Sequence, residues 1–303
     1  MRPLIECVPN FSEGRDRAVI EAIVNAANTV AQATVLDYQS DPDHHRCVVT
    51  LAGRPEAVEE AAFRAVAEAV RRIDLNRHRG AHPRIGAADV APFVPVRGVT
   101  MKDCVDLAHR FGRRVWQELN VPVYFYEYAA LSEDRRKLER VRQGQFEELR
   151  KQALECPERR PDVGGPALHP TAGALAVGAR KYLLAFNVNL ATSDLSVADR
   201  VARRVRESSG GLPHVKAMAV WLASKGVVQV SMNLTDFDVT PLHTVFLAVQ
   251  QEAARLGVEI AGSEIIGLIP AAALAQSGAQ FLKCENYSED VLLERQLLTK
   301  VLD

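Results

Sequence analysis

The stretch G-A-H-P-R-I-G-A-A-D-V-A-P-F-V-P-V, Gly80 to Val96, decides how the first half of this chain is read. From Asp89 onward it is an apolar, proline-marked run of the kind that forms a buried strand. Ahead of that strand stand His82, Arg84 and Asp89. Pro83 biases His82 toward extended backbone, and Gly80 and Gly86 allow the chain to turn sharply on either side. His82 is therefore a positioned histidine, whether it satisfies a loop carbonyl or moves a proton.

Working outward, the strand from Asp89 to Val96 is the fourth of a set. Leu4 to Val8 reads as the first, ended by the turn-rich P-N-F-S-E-G-R-D from Pro9 to Asp16. Val19, Ile20, Ile23, Val24 and Ala27 share one face of a helix over about Asp16 to Gln32. Thr34 to Tyr38 and Cys47 to Leu51 are the second and third strands, and Pro55 opens a long helix to about Ile73. The order is strand, helix, strand, strand, helix, strand. Beyond it, T-M-K-D at Thr100 caps another helix, and Val123 to Tyr128 is a strand. Ser132 to Ala153 reads as a charged helix whose Glu139/Arg142 and Glu147/Lys151 pairs mark a solvated face. Cys156 to Ala172, rich in Pro and Gly, reads as the linker between two halves.

The second half repeats the order. Tyr182 to Asn189 is a strand, Val197 to Glu207 a helix, and Val215 to Ala223 with Val227 to Leu234 a hairpin around S-K-G. Pro241 opens a helix to Leu256, and Val258 to Ile260 begins the last strand. The expected fold class is α/β (α+β), with two ferredoxin-like βαββαβ subdomains at residues 1–178 and 179–303. Helices lie outside, and a substrate tunnel is expected between the facing sheets.

Composition narrows the partners. The 303 residues are 48% apolar, enough for two ordinary cores. Lys and Arg total 37 against 38 Asp and Glu, so nucleic acid is not an expected partner and any anion must be met by local charge. Cys7, Cys47, Cys104, Cys156 and Cys284 are an odd, scattered set that fits a reducing compartment better than a disulfide framework. No basic segment precedes an apolar run at the start, and no stretch approaches ~20 apolar residues. A soluble cytoplasmic protein with no membrane partner is expected.

Four polar loops carry the candidate chemistry: Asn10 to Asp16, Asp37 to Arg46, Arg77 to Asp89 and Gly164 to Gly173. A neutral imidazole at His82 suits general acid–base work at neutral pH. The planar fork of Arg84 suits a carboxylate. The D-P-D-H-H-R run from Asp41 to Arg46 offers metal-ligand types without metal-ligand spacing, so a solvated loop or substrate contacts are preferred and no metal is expected. P-N-F-S-E-G-R-D is equally a helix entry or a ligand wall. V-G-G-P-A-L-H-P-T-A-G-A lacks the lysine and hydroxyl of a phosphate loop, and no G-x-S-x-G elbow is present. Cys7, inside a strand, reads as a small buried side chain.

With these loops in view, the sequence resembles the formiminotransferase family. The carrying motifs are E-C-V-P-N-F-S-E-G-R-D from Glu6, H-P-R-I-G-A-A-D-V-A-P-F-V-P-V-R-G-V-T from His82 and V-P-V-Y-F-Y from Val121. They continue with G-A-R-K-Y-L-L-A-F-N-V-N-L from Gly178, Q-V-S-M-N-L-T-D from Gln229 and G-S-E-I-I-G-L-I-P from Gly262. The resemblance implies transfer of a formimino group from N-formimino-L-glutamate to N5 of tetrahydrofolate, in histidine degradation and one-carbon metabolism. It implies His82 as the acid–base residue, and a folate-binding stretch at Gly164, Gly165, Pro166, Ala167, Leu168, His169, Pro170, Thr171, Ala172 and Gly173. Asn10, Asp37, Asp41, Arg46 and Arg84 are the expected substrate-binding or electrostatic residues. Tetrahydrofolate, free or polyglutamylated, is the implied co-substrate, and a homodimer is the implied assembly.

Three positions depart from the family's pattern. Thr171 and Ala172 stand where the bifunctional animal enzymes have a serine–tryptophan pair, and Gln39 stands where an acid is expected. A chain ending at Asp303 leaves no room for the cyclodeaminase domain fused to those enzymes, so a separate cyclodeaminase is an expected partner. Rival readings are an N-formylglutamate formyltransferase, a folate-binding module without catalysis, and a metal-dependent hydrolase using the Asp41 to His45 cluster.

Overall fold

A computed structural model describes residues 3–300 and divides the chain into two units, Met1–Arg180 and Lys181–Asp303. The first contains β1 (Leu4–Cys7), β2 (Asn10–Phe11), α1 (Arg17–Asn28), β3 (Ala33–Asp41), β4 (Arg46–Gly53), α2 (Pro55–Arg72) and β5 (Ala88–Arg97). It continues with α3 (Met101–Leu119), β6 (Val123–Glu127), α4 (Leu138–Val141), α5 (Gln145–Glu155) and β7 (Leu175–Ala179). β1 and β2 are one strand interrupted at Val8 and Pro9, since each pairs with both β4 and β5. The sheet runs β3, β4, β1/β2, β5, β7, β6, antiparallel as far as β5. Its first four strands form the expected split βαββαβ unit.

The helices follow from the apolar periodicity. Ile20, Ile23, Val24 and Ala27 of α1 are buried, and so is the alanine-rich face of α2. Asp16 caps α1, and Thr100 with Asp103 forms a full capping box on α3. These three helices cover one face of the sheet. A Cβ on Gly112 of α3 would lie 2.7 Å from the Phe125 ring, so only glycine admits this helix so close to β6.

The other face carries a smaller core in which Tyr124, Tyr126, Val90 and Ile85 pack with Val141 and Leu149. Here the sequence reading needs correction. The single charged helix expected over Ser132 to Ala153 is broken into α4 and α5, with Gly144 at φ +84° and Gln145 at φ +52° between them. Its face is not simply solvated, because Arg142 reaches Asp89 of the first sheet and Glu147 reaches Arg84 just ahead of it. The Pro/Gly-rich segment is likewise no linker. It returns the chain to the first sheet, where β7 adds parallel to both β5 and β6, a strand that the sequence reading left out.

In the second unit, β8 (Leu184–Leu190), α6 (Leu195–Val205), β9 (Val215–Leu222), β10 (Val227–Leu234), α7 (Leu242–Arg255) and β11 (Ile260–Ile266) form an antiparallel sheet in the order β11, β8, β10, β9. This is again the split βαββαβ order, with α6 and α7 packed on one core. α8 (Ala271–Phe281) and α9 (Leu293–Lys300) follow, neither anticipated from the sequence. Among the described residues, no helix is long and apolar enough to cross a membrane.

Candidate active site

Two irregularities in the first sheet assemble the site. Between β2 and β5, Asn10 pairs with Val90 and Phe11 with Ala88, leaving Asp89 as the extra residue of a bulge. Bulges re-aim side chains, and this one turns the Asp89 carboxylate toward β4. A second register shift at Leu36 in β3 sets Asp37 opposite Thr50, Gln39 opposite Val48 and Asp41 opposite Arg46. Opposed residues project to the same face, so Asp37, Gln39 and Asp41 share the face of Arg46.

Arg46 is the hub. Its Nε donates to Asn10 Oδ1 at 2.8 Å, and its Nη1 donates to Asp89 Oδ2 at 2.9 Å while lying 2.8 Å from His82 Nδ1. Asp89 Oδ1 accepts from the Ile85 N–H at 2.8 Å, and Asp89 Oδ2 also accepts from Arg142. Two guanidiniums therefore share one fully buried carboxylate. Burial alone would raise the Asp89 carboxyl, but Arg142 and Arg46 hold it below the usual range. Burial, and after it the charge of Arg142, bring Arg46 down to about 10.

The same charges act on His82. Burial, then Arg46, Arg142 and His44, hold its imidazole well below 6.5, so the ring is neutral at pH 7. Nδ1 lies 2.7 Å from the Pro83 carbonyl as well as 2.8 Å from Arg46. One tautomer donates to Pro83 and the other accepts from Arg46. In either, no described group bonds Nε2. His44 lies tilted beside the ring, centroids 6.0 Å apart, with its own Nε2 buried and unpaired.

Family comparisons agree with one another. The formiminotransferase domain, N-terminal subdomain, matches residues 4–180, and the formiminotransferase domain matches residues 185–303. The chain belongs to the formiminotransferase family. It is 42% identical to the glutamate formimidoyltransferase of Streptococcus pyogenes over 98% of this chain and 100% of that one. It is 43% identical to the glutamate formimidoyltransferase of Thermoplasma acidophilum over 97% of each. Against the formimidoyltransferase-cyclodeaminase of Sus scrofa it is 46% identical over 94% of this chain and 54% of that protein.

In this formiminotransferase, His82, Asn10 and Arg46 come together as one cluster. Asp37 and Asp41 share its sheet face, where Asp37 accepts from Gln39 and Asp41 accepts from the His44 N–H. Arg84 does not join them. Its fork closes on Glu147 at 2.6 and 2.7 Å, with Gln145 and His78 as further partners. The carboxylate that its geometry calls for is one of the chain's own, and Glu147 is pulled down to about 2, first by its hydrogen bond to Arg84.

The Gly164 to Gly173 loop is hydrogen-bonded to the His82 stretch. Ala87 N–H donates to Ala172 O, Ala174 N–H to Ile85 O and Leu75 N–H to Thr171 O. A Cβ on Gly173, already at φ +70°, would fall 2.1 Å from Ile85 O, so glycine is required there. Gly164, Pro166, Ala167 and Pro170 are exposed along the loop, which contains a cis Gly165–Pro166 bond.

The sequence reading missed two participants. Arg142 was assigned to a solvated face, and Asp89 was placed ahead of its strand without a role. Among the described residues, no group of three or more His, Cys, Asp or Glu side chains stands as metal ligands would. In the second unit, Gln229 bridges Asn189 and Glu264 at 2.9 and 2.6 Å, and Lys225 holds the same carboxylate.

Several histidines of this formiminotransferase resist protonation. His45 is brought down to about 4, chiefly by burial and then by His78, while His78, His82 and His169 shift the same way, each with burial as the largest cause. Below about pH 6.5 the unfolded chain binds protons that the folded chain refuses. Stability is therefore full above about pH 6.5 and declines as the pH falls toward 4. The melting temperature should drop measurably between pH 7 and pH 5, before ordinary carboxylates titrate; an unchanged value would contradict this assignment.

Proposed function

We propose that this protein transfers the formimino group of N-formimino-L-glutamate to N5 of tetrahydrofolate, giving 5-formiminotetrahydrofolate and L-glutamate, with His82 as general acid and base. The observation that carries the reading is the neutral His82 imidazole, its Nε2 unengaged, set against Arg46 in a chain that matches glutamate formimidoyltransferases over nearly their whole length. The reaction belongs to histidine degradation.

Tetrahydrofolate supplies the accepting nitrogen. The exposed run Gly164 to Ala167 offers backbone and small apolar groups for a flat ring, and its hydrogen-bonded end at Ala172 and Gly173 ties that wall to the His82 stretch. His82 Nε2 takes the proton released as the new carbon–nitrogen bond forms. It returns that proton to the glutamate nitrogen as the old bond breaks, a contribution of roughly 10²- to 10⁴-fold. Because burial and two guanidiniums disfavour the imidazolium, the ring gives the proton back readily. Asp37 and Asp41, on the Arg46 face, supply negative charge for the cationic amidine-like donor.

The deciding experiment compares N-formimino-L-glutamate with N-formyl-L-glutamate as donors, following the folate product by absorbance. The expected result is a strong preference for the cationic formimino donor. Faster transfer from the formyl compound, or folate binding without transfer from either, would overturn the reading.

A further inference from the structure

The cluster around Asp89 does not balance its own charge. Arg46 and Arg142 are cationic, Asp89 is the one carboxylate that both contact, and the adjacent His82 is neutral. Within this hydrogen-bonded group two guanidiniums thus share one carboxylate in largely buried surroundings, with the two arginine side chains 13% and 12% exposed. Arg142 Nε is buried with no hydrogen-bond partner, a donor whose desolvation is not compensated within the protein. α4 and the turn after it carry Arg142 to this place, though nearer partners on a free surface would have sufficed for a merely solvated arginine.

We infer that Arg142, acting with Arg46, binds the α-carboxylate of the glutamate donor. The inference rests on the proposed transfer reaction for its substrate, but reach chooses which carboxylate. In an N-acylated amino acid, two covalent bonds separate the reacting nitrogen from the carboxylate carbon, so that carboxylate lies within ~3 Å of the nitrogen His82 must protonate. Arg46 Nη1, hydrogen-bonded to the same Asp89 oxygen as Arg142, is 2.8 Å from His82 Nδ1, one imidazole ring away from Nε2. The carboxylates of a folate's glutamyl tail are separated from its reacting nitrogen by an entire aromatic spacer. A carboxylate of the donor fits the spacing, the α-carboxylate being the nearer to the reacting nitrogen; a tail carboxylate does not fit. Paired guanidiniums also fix the donor's orientation, aiming its nitrogen at Nε2.

The test is direct binding, measured calorimetrically on the full chain. Wild-type protein should bind L-glutamate, the product, at least tenfold more tightly than γ-aminobutyrate, which lacks the α-carboxylate. Arg142→Gln should weaken L-glutamate roughly 10- to 100-fold and erase that discrimination, with Arg142→Lys between the two. The ratio of tetrahydrofolate to tetrahydropteroate affinity should be the same in wild type and Arg142→Gln. Equal binding of glutamate and γ-aminobutyrate by the wild type overturns the inference, and needs no variant to fold. So does a loss in Arg142→Gln confined to the tetrahydrofolate preference, which would assign the arginines to the folate tail. Glutamate discrimination that depends on Arg142 in a protein showing no transfer would retain the carboxylate site and overturn only the reaction.

Discussion

His82→Ala is expected to lower turnover with N-formimino-L-glutamate and tetrahydrofolate by roughly two to four orders of magnitude. Its melting temperature should remain close to that of the wild type. The asymmetry follows from what the ring contacts. Its packing partners are polar, and Arg46 keeps Asn10 and Asp89 when the imidazole is gone. What is lost is a neutral imidazole that can take up and return a proton, next to an Asp89 that is held ionised. The acid limb of the wild-type pH–rate profile should fall below pH 6.5, because burial and then Arg46 push the imidazole down. Steady-state kinetics and thermal melting check both halves. Retained turnover in His82→Ala would remove the histidine from the mechanism.

Asp89→Ala should act mainly on the fold. Asp89 is fully buried and satisfies Arg46, Arg142 and the Ile85 N–H at once. Truncation leaves two uncompensated guanidiniums and an orphaned backbone donor, a loss of about 3–5 kcal/mol by the usual behaviour of broken buried ion pairs. In a chain of this size that corresponds to a melting temperature lower by roughly 10 °C. Asp89→Asn retains the acceptor for Ile85 but not the charge, so its loss should be smaller. Denaturant unfolding of both variants checks the order, and equal stability of Asp89→Ala and wild type would contradict the hub.

The repeated order of strands and helices was legible because local patterns suffice for it. Pro55 starts its helix and Thr100 caps another, while the apolar alternations give the strands. Asp89, by contrast, matters because of a bulge, and a bulge is a property of two strands' relative register that neither strand's sequence displays. Arg142 was misread for a related reason. At helical spacing from Glu139 it has the pattern of a surface pair, yet Gly144 breaks the helix and frees the segment to turn back to the sheet. Arg84 shows the converse: its chemistry was read correctly as carboxylate-binding, but the carboxylate is Glu147, more than sixty positions along the chain. β7 was hidden because L-A-V-G-A is short, alanine-rich and adjacent to a Pro/Gly segment, so its strand character comes from being flanked on both sides by partners.

β7 also dictates an order of events. Val90 to Phe93 pairs with Ala176 to Ala179, and Ala172 and Ala174 are bonded to Ala87 and Ile85, so the His82 stretch is clasped by chain made some ninety residues later. Contacts this distant in sequence form late, after loop closure has been met entropically. During synthesis, the first four strands can pair while the segment bearing His82 still lacks its contacts with Arg142 and with the chain around β7. The loop bearing His82 thus gains its last contacts only once β7 is in place.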